Sequence, residues 1–359
     1  MTADLLSTVA TGDAARAELG RLVTYVDRHS VAFCTSSWWL EAAARLLPAE
    51  PVVITVRAGP APVAVAALGV TKKRGARRIS LLGGELNDYG QLFHDDEPAA
   101  VALGEAIAAW TAEQGRWSLD LDQLPPGDPV AGVLVDRLGA SLGEGPPMPQ
   151  IAGLGTDYRI SRNRVRNAQK AINRVEADGR TWARLTIEDA EVVDRWLPRV
   201  VELRRGRDHG VGRRSHLDDP AARSFYTAVV REAVARGRAA MNLFLVDDDL
   251  LAGYSVVMFD GATHRFFDCR VADDHQRYRG GSVCELMAVT RARDAEDVTG
   301  FDWLRGRTEA KFGNDELFRV RVTASSHRSV VAIDEWEQAT RQRVKAVLPA
   351  AAVRRLVAR

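Results

Sequence analysis

The sequence predicts an α/β protein made of two tandem, related units, and three observations carry that prediction. One order of extended and helical segments occurs twice, the turns between the extended segments are supplied by Gly, Pro and Asp, and a Pro/Gly-rich stretch separates the two series. With 359 residues and 46% apolar content, the chain can bury two cores, because a domain holds roughly 100–200 residues.

In the first series the extended segment PVVITVR, from Pro51, meets a Gly-Pro turn and then VAVAALGV. A basic turn, the apolar ISLLGG, an alanine-rich helix from about Glu97 to Gln114 and the alternating WSLDLD come next. The stretches LPPGDP (Leu124–Pro129) and GEGPPMP (Gly143–Pro149) mark the border, giving a first domain over 1–145. Ser161 then caps a helix running to about Ala177. Val165, Ala168, Ile172 and Val175 form its apolar stripe, and it carries Arg162, Arg164, Arg166, Lys170 and Arg174. Two further helices lie near Asp189–Arg205 and Pro220–Ala235. The polar loop RGRDHGVGRRSHLDD between them is longer than a tight turn needs, and it offers His209 and His216 for hydrogen bonding or proton transfer.

The second series repeats the first. MNLFLV from Met241, an acidic turn, LLAGYSVVMF and HRFFDC precede a helix from about Gly281 to Asp297, and FDWL closes the set. The second domain spans 146–333, and an amphipathic helix over 334–359 ends the chain.

Charge and composition narrow the function. A formal net charge of +1 gives no whole-molecule field for nucleic acid or a membrane, although local basic patches remain. Cys34, Cys269 and Cys284 have no metal-like spacing and read as buried thiols in a reducing compartment. No metal is expected. The N-terminal MTADLLSTVATGD lacks a basic leader, and no apolar run approaches the roughly 20 residues that span a bilayer, so a soluble, cytoplasmic protein without membrane partners is expected.

Two segments concentrate the chemistry. FDWLRGRTEAKFG (Phe301–Gly313) crowds Arg305, Arg307, Glu309 and Lys311 behind an apolar run; such charges dissolve in water at a strand end or meet an anion at a site. RYRGGSVCE (Arg277–Glu285) places paired glycines at a helix start, where unpaired amides favour phosphate and arginines add charge-assisted contacts. The equivalent HDDEPA (His94–Ala99) of the first series is acidic and lacks glycine, so only the second unit is expected to hold an anionic cofactor.

These motifs, in this order, resemble the GNAT acyltransferase superfamily, and more narrowly its double-GNAT, CelD-like branch related to the Fem-type peptidyl transferases. SSWWLEAA (Ser36–Ala43), LNDYGQL (Leu86–Leu92), SRNRVRNAQKAINR (Ser161–Arg174), AGYSVVMF and FFDCRVADDHQRYRGGS carry the resemblance with FDWLRGRTEAKFG, over roughly residues 30–330. It implies tandem GNAT-like domains, each a mixed, largely antiparallel sheet flanked by helices, with a degenerate donor site in the first and an acyl-CoA site in the second. It also implies an N-acyltransferase that uses acetyl-CoA or another acyl-CoA as co-substrate. The group would pass by direct attack to an amine of a small molecule or sugar. Arg277, Gly280 and Gly281 match the start of the superfamily's pyrophosphate turn, Arg279 adds charge, and Ser282 replaces its final Gly or Ala. Asp88-Tyr89 matches a D-Y element and Arg305-Gly306 with Lys311 an R-G…K element, which makes Asp88, Tyr89, His209 and Arg305 the substrate-binding expectations. Asp268, Glu309 and Lys311 are the catalytic ones, the acids as bases and the lysine steadying negative charge, with the acceptor expected between the two units. The resemblance leaves open a Fem-like donor, aminoacyl-tRNA, held by the basic helix that starts at Arg162, or a non-catalytic binding module.

Overall fold

The computed structural model describes residues 4–271, 277–305 and 313–327. The first stretch opens with β1 (Leu5–Thr11), α1 (Gly12–Arg21), α2 (Val23–His29), α3 (Ser37–Leu46), β2 (Glu50–Ala58), β3 (Ala61–Lys73), β4 (Ala76–Leu81), β5 (Phe93–His94), α4 (Glu97–Ala112), β6 (Trp117–Leu124), α5 (Pro129–Leu138) and β7 (Ser141–Glu144). It continues with β8 (Met148–Ala152), α6 (Arg162–Ala177), β9 (Trp182–Ile187), α7 (Ala190–Gly210), α8 (Pro220–Ala235), β10 (Ala239–Val246), β11 (Leu250–Asp260) and β12 (Thr263–Val271). Then come α9 (Gly280–Asp294), β13 (Gly300–Asp302), β14 (Asp315–Leu317) and β15 (Val320–Ser325).

Two units divide at Pro147/Met148, and the chain returns to the first at Phe318. In the first sheet the order is β1-β2-β3-β4-β6-β15-β7, with β5 on β3. The turns are those the sequence announces: Gly59 (φ 60°) opens the β2–β3 hairpin, and Arg74 and Gly75 (φ 52° and 76°) close β3 onto β4. Strand alternation sets the faces. Val52, Ile54 and Val56 join Leu103 and Ile107 of α4 and Val130 and Leu134 of α5 in one core. On the other face Thr55 and Arg57 reach Glu18 of α1, at 3.5 and 2.6 Å.

The second sheet repeats this plan in the order β9-β10-β11-β12-β13-β8-β14. Phe244, Val246 and Ala252 pack under Ile172 and Val175 of α6 and Val283 and Cys284 of α9, while Tyr254 points to Tyr226 of α8 and Arg204 of α7 through their shared partner Asp268. In both units two antiparallel hairpins lead into a parallel pair bridged by a helix: β4 with β6 across α4, and β12 with β13 across α9. The expected α/β fold of mixed, largely antiparallel sheets flanked by helices is what the structure shows.

The strands completing the sheets are out of chain order. β15 lies antiparallel to both β6 and β7, and β8 lies antiparallel to β13 and β14. The expected second domain over 146–333 therefore differs from the observed pairing, because Val320–Ser325 completes the first sheet. The helix expected to stop at Arg205 runs on to Gly210, so most of the anticipated loop is helical and only residues 211–215 separate α7 from the one-turn 3-10 helix His216–Asp218. The strands β1 and β9 have no announcing sequence pattern. The expected helix over 334–359 lies outside the described residues. Among the described residues no helix is long and apolar enough to cross a membrane.

Candidate active site

The second unit assembles its site where β12 leaves β13. Those strands pair only through Thr263–Gly300, His264–Phe301 and Arg265–Asp302. Beyond Arg265 and Asp302 the two strands no longer pair. Two features drive the parting. A bulge against Val256/Val257 leaves Phe267 as the extra residue of β12 and re-aims the remainder of the strand. On the other strand Asp302 ends the ladder: its Oδ2 accepts from Arg265 Nη1 at 2.7 Å, and its Oδ1 accepts from the amide of Leu304 at 2.7 Å, where φ is 59°.

The first turn of α9 sits beside this opening. A Cβ on Gly253 of β11 would lie 2.7 Å from the Gly280 carbonyl carbon and 2.9 Å from the Gly281 nitrogen, so glycine here lets the helix start lie directly on the sheet. The helices α4 to α8 are each capped by a side-chain oxygen, from Asp96, Asp128, Ser161, Asp189 and Asp219 respectively. In contrast, α9 has no side-chain cap. Its N-cap is Arg279, exposed and at φ 48°. An uncapped N-terminus carries unfilled amide donors and the positive end of the helix dipole. Arg277, Arg279, Gly280, Gly281 and Ser282 are thus brought together, although the Ser282 amide is engaged by the Arg279 carbonyl at 2.9 Å. Arg277 pairs with Asp178, which also accepts from Tyr278 Oη at 2.6 Å, and the Arg277 carbonyl accepts from Arg174 Nη1 at 2.9 Å.

The equivalent place in the first unit is built differently. Asp96 accepts from the Ala99 amide at 2.9 Å and fills the start of α4 with its own carboxylate. Where β6 runs past its pairing with β4, the Gly90 amide donates to the Gln123 carbonyl at 2.7 Å. That contact holds the chain against β6, and a Cβ on Gly90 would lie 2.3 Å from the Asp122 carbonyl oxygen.

On the opposite face of the second sheet, Asp268 forms a densely bonded polar cluster. Its Oδ2 accepts from Tyr254 Oη at 2.6 Å, Tyr226 Oη at 2.9 Å and Arg204 Nη1 at 2.9 Å, and Arg270 Nη1 lies 3.3 Å from Oδ1. Burial alone would raise this carboxyl's pKa, but the Arg204 and Arg270 guanidiniums and the tyrosine hydroxyls outweigh it and hold it below the usual carboxylate range. Burial and the Asp268 charge push both tyrosines well up, so they stay protonated. A carboxylate held by these donors and kept ionised is a poor proton acceptor, so the geometry favours a buried anchor over the expected base at Asp268.

The other expected residues lie on separate segments of the chain. His209 lies exposed in the last turn of α7, with Nε2 2.8 Å from Asp218 Oδ2. Arg305 comes after β13 and is half-buried. In the first unit Asp88 is half-buried; Tyr89 is buried, takes Cys34 Sγ as the acceptor of its amide at 3.3 Å, and lies under the Arg319 guanidinium, 4.9 Å from the ring centroid. Glu309 and Lys311 lie outside the described residues. Arg204, Tyr226, Tyr254 and Arg270 are members of the Asp268 cluster that sequence reasoning misses; of these only Tyr254, a polar residue inside the apolar AGYSVVMF, carries a signal. Arg164 belongs in sequence to the basic helix but is buried, with Nε 3.3 Å from Glu285 Oε1, which also accepts from Trp303 Nε1 at 3.2 Å. All three cysteines are free thiols. Among the described residues no group of three or more His, Cys, Asp or Glu could hold a metal ion.

Comparison with known proteins fits this geometry. The family model for an acetyltransferase (GNAT) domain matches residues 162–312, from the first residue of α6 to just before Gly313. The second unit carries a GNAT acetyltransferase domain. Among solved structures, the chain is similar in fold to FemX, at 12% identity and a TM-score of 0.56 over 88% of this chain and 98% of that one. It is also similar to a tandem GNAT protein from the clavulanic acid biosynthesis pathway, at 15% identity and a TM-score of 0.51 over 90% of this chain and 99% of that one. No curated protein matches it by sequence. The GNAT resemblance, the tandem GNAT-like fold and acyltransferase as the enzyme class therefore hold.

Proposed function

We propose that the second unit transfers an acyl group from acyl-CoA, with acetyl-CoA the default donor, to an amine of a small molecule or sugar. The observation that carries this reading is the contrast between the two units: α4 is stoppered by Asp96, whereas α9 presents an uncapped first turn flanked by Arg277 and Arg279. That contrast also supports a donor site in the second unit alone. The donor supplies an activated thioester carbonyl. Gly280, Gly281 and Ser282 would receive its pyrophosphate.

The nitrogen of the acceptor forms the new C–N bond as the C–S bond breaks and the thiol leaves with a proton. No covalent side chain is needed, and Cys284 is unsuited to that role because burial pushes its thiol pKa well up. With Asp268 tied to four donors, the acceptor's proton passes to water or to a group other than Asp268. Asp88, Tyr89, His209 and Arg305 remain the proposed acceptor contacts, with Glu309 the proposed base and Lys311 steadying developing charge. Calorimetric titration of acetyl-CoA and CoA into the protein and its Gly281→Glu variant tests the reading. Micromolar binding abolished in a variant that keeps its melting temperature supports it; no binding at millimolar donor refutes it.

A further inference from the structure

The cations of α6 form a row that the packing of the described residues does not require. Arg162, Arg166, Lys170 and Arg174 succeed one another at four-residue spacing, so they line one side of the helix over roughly 18 Å at a rise of about 1.5 Å per residue. The helix has a separate inward cation: Arg164 is the buried one, and it meets Glu285 and stacks 4.9 Å from the Trp303 ring centroid. Its apolar contacts come from Ala168, Ala171, Ile172 and Val175. Packing is therefore complete without the row.

None of the four meets a carboxylate among the described residues. Arg166 Nη2 donates to the neutral Asn163 Oδ1 at 2.8 Å, and Arg174 Nη1 donates to the Arg277 carbonyl at 2.9 Å. Arg162 and Lys170 are exposed and make no hydrogen bond or ion pair among the described residues. Elsewhere in this unit the exposed Arg231 and Arg236 do find acids, Asp194 and Glu232, as the half-buried Arg180 does with Asp247. Glu176, the acid inside α6, is engaged by Trp182 Nε1 at 3.1 Å. Like charges at four-residue spacing destabilise a helix, so the row is a cost to folding that an anionic ligand would offset. Its position gives that ligand an address. The Arg174–Arg277 contact ties the C-terminal end of the row to the segment that opens α9, and Asp178, which caps α6, moors Arg277 and Tyr278 there.

We propose that the Arg162–Arg166–Lys170–Arg174 row reads the 3′-phosphate on the nucleotide of the donor whose pyrophosphate occupies the first turn of α9. This rests on the acyl-CoA reading and adds to it a basis for preferring the 3′-phosphorylated carrier. A phosphate monoester dianion is the group that such a row suits, since charge-assisted contacts from two or more cations are stronger than neutral ones, and their effect falls as salt rises.

The test titrates CoA and 3′-dephospho-CoA into the wild-type protein and the Arg166→Gln/Lys170→Gln variant at low and high salt, with melting temperatures recorded. Wild type is expected to bind CoA about ten-fold tighter than the dephospho form at low salt. The variant should bring the two affinities together while leaving dephospho-CoA binding within about two-fold and the melting temperature unchanged or higher. Equal binding of both ligands by wild type, or full discrimination kept by the variant, overturns the proposal and leaves the acyl-CoA reading standing. Failure of both ligands to bind wild type refutes the acyl-CoA reading, and this proposal with it. In that case a salt-steep affinity for tRNA that the variant loses would assign the row to a polynucleotide.

Discussion

Tyr254 donates a 2.6 Å hydrogen bond to Asp268 Oδ2 from the neighbouring strand, and the same oxygen also receives Tyr226 and Arg204. The carboxylate thereby joins β11, β12, α7 and α8 in one buried cluster. Asp268→Asn would leave Arg204 and Arg270 without their shared countercharge, and breaking such a buried pair costs about 3–5 kcal/mol. Tyr254→Phe should cost about 1.5–3 kcal/mol, the range for a hydrogen bond to a charged group. Urea unfolding at neutral pH measures both. The sign with pH comes from a folded-state pKa below the unfolded one: the contribution is present above about pH 4 and is lost as pH falls further, toward the folded value. The Asn variant should therefore show a flatter acid limb than wild type.

His264 gives the range just below neutral its own dependence. The residue is buried against Phe259, 4.4 Å between ring centroids, and its Nδ1 has no hydrogen-bond partner among the described residues. Burial, with the Arg291 charge nearby, brings its pKa down to about 4. The unfolded chain thus takes up this proton first as pH drops. Stability is full above about pH 6.5 and falls by about 1.4 kcal/mol per pH unit on the way to 4, or about 2 kcal/mol by pH 5. His264→Leu should remove that slope, read as the urea midpoint at pH 7 and pH 5. A variant as pH-sensitive as wild type would show that another group titrates there.

The repeated core is legible in sequence because its signals are local. Gly59, the Arg74-Gly75 pair and the acidic turn after Val246 mark the hairpins, and Ser161 sets the start of α6 to the residue. The hidden parts depend on partners far along the chain. Ser141–Glu144 is exposed throughout and finds its strand partner in β15, near residue 320, so no pattern within either segment announces the pairing. The extension of α7 is masked by Gly206 and Gly210, which read as loop residues although the arginines between Leu203 and Asp208 favour a helix. At the site the helix-start glycines are visible as sequence, but the donors that neutralise Asp268 as a base come from four separate elements. One of them, Arg204, is indistinguishable by sequence from its neighbours Arg205 and Arg207.

Gly253 should be the most sensitive glycine of the candidate donor site. A methyl group there would lie under 3 Å from backbone atoms of Gly280 and Gly281, and backbone cannot rotate away as a side chain can. Gly253→Ala is expected to cost about 1–3 kcal/mol through overpacking and to push the first turn of α9 off the sheet. Acetyl-CoA affinity should fall by more than the melting temperature alone explains. Unchanged affinity in a destabilised but folded variant would separate the packing role of Gly253 from ligand binding.

Arg319 provides the matching test in the first unit. It is buried, donates from Nε to the Gln123 carbonyl and from Nη2 to the Gly90 carbonyl, each at 2.9 Å, and covers the Tyr89 ring. One side chain just before the returning strand therefore fixes the segment that bears Asp88 and Tyr89 against β6. Arg319→Met keeps the apolar stem but leaves the Gly90 carbonyl without this donor, and should cost about 2–4 kcal/mol. Arg319→Lys keeps the charge yet cannot reproduce a planar fork reaching two carbonyls, so it should recover only part of that loss. Urea unfolding followed by hydrogen exchange at residues 88–91 checks both. Faster exchange there in both variants, with β10 to β12 unaffected, is the expected result, whereas uniform destabilisation across both sheets would show that Arg319 supports more than this segment.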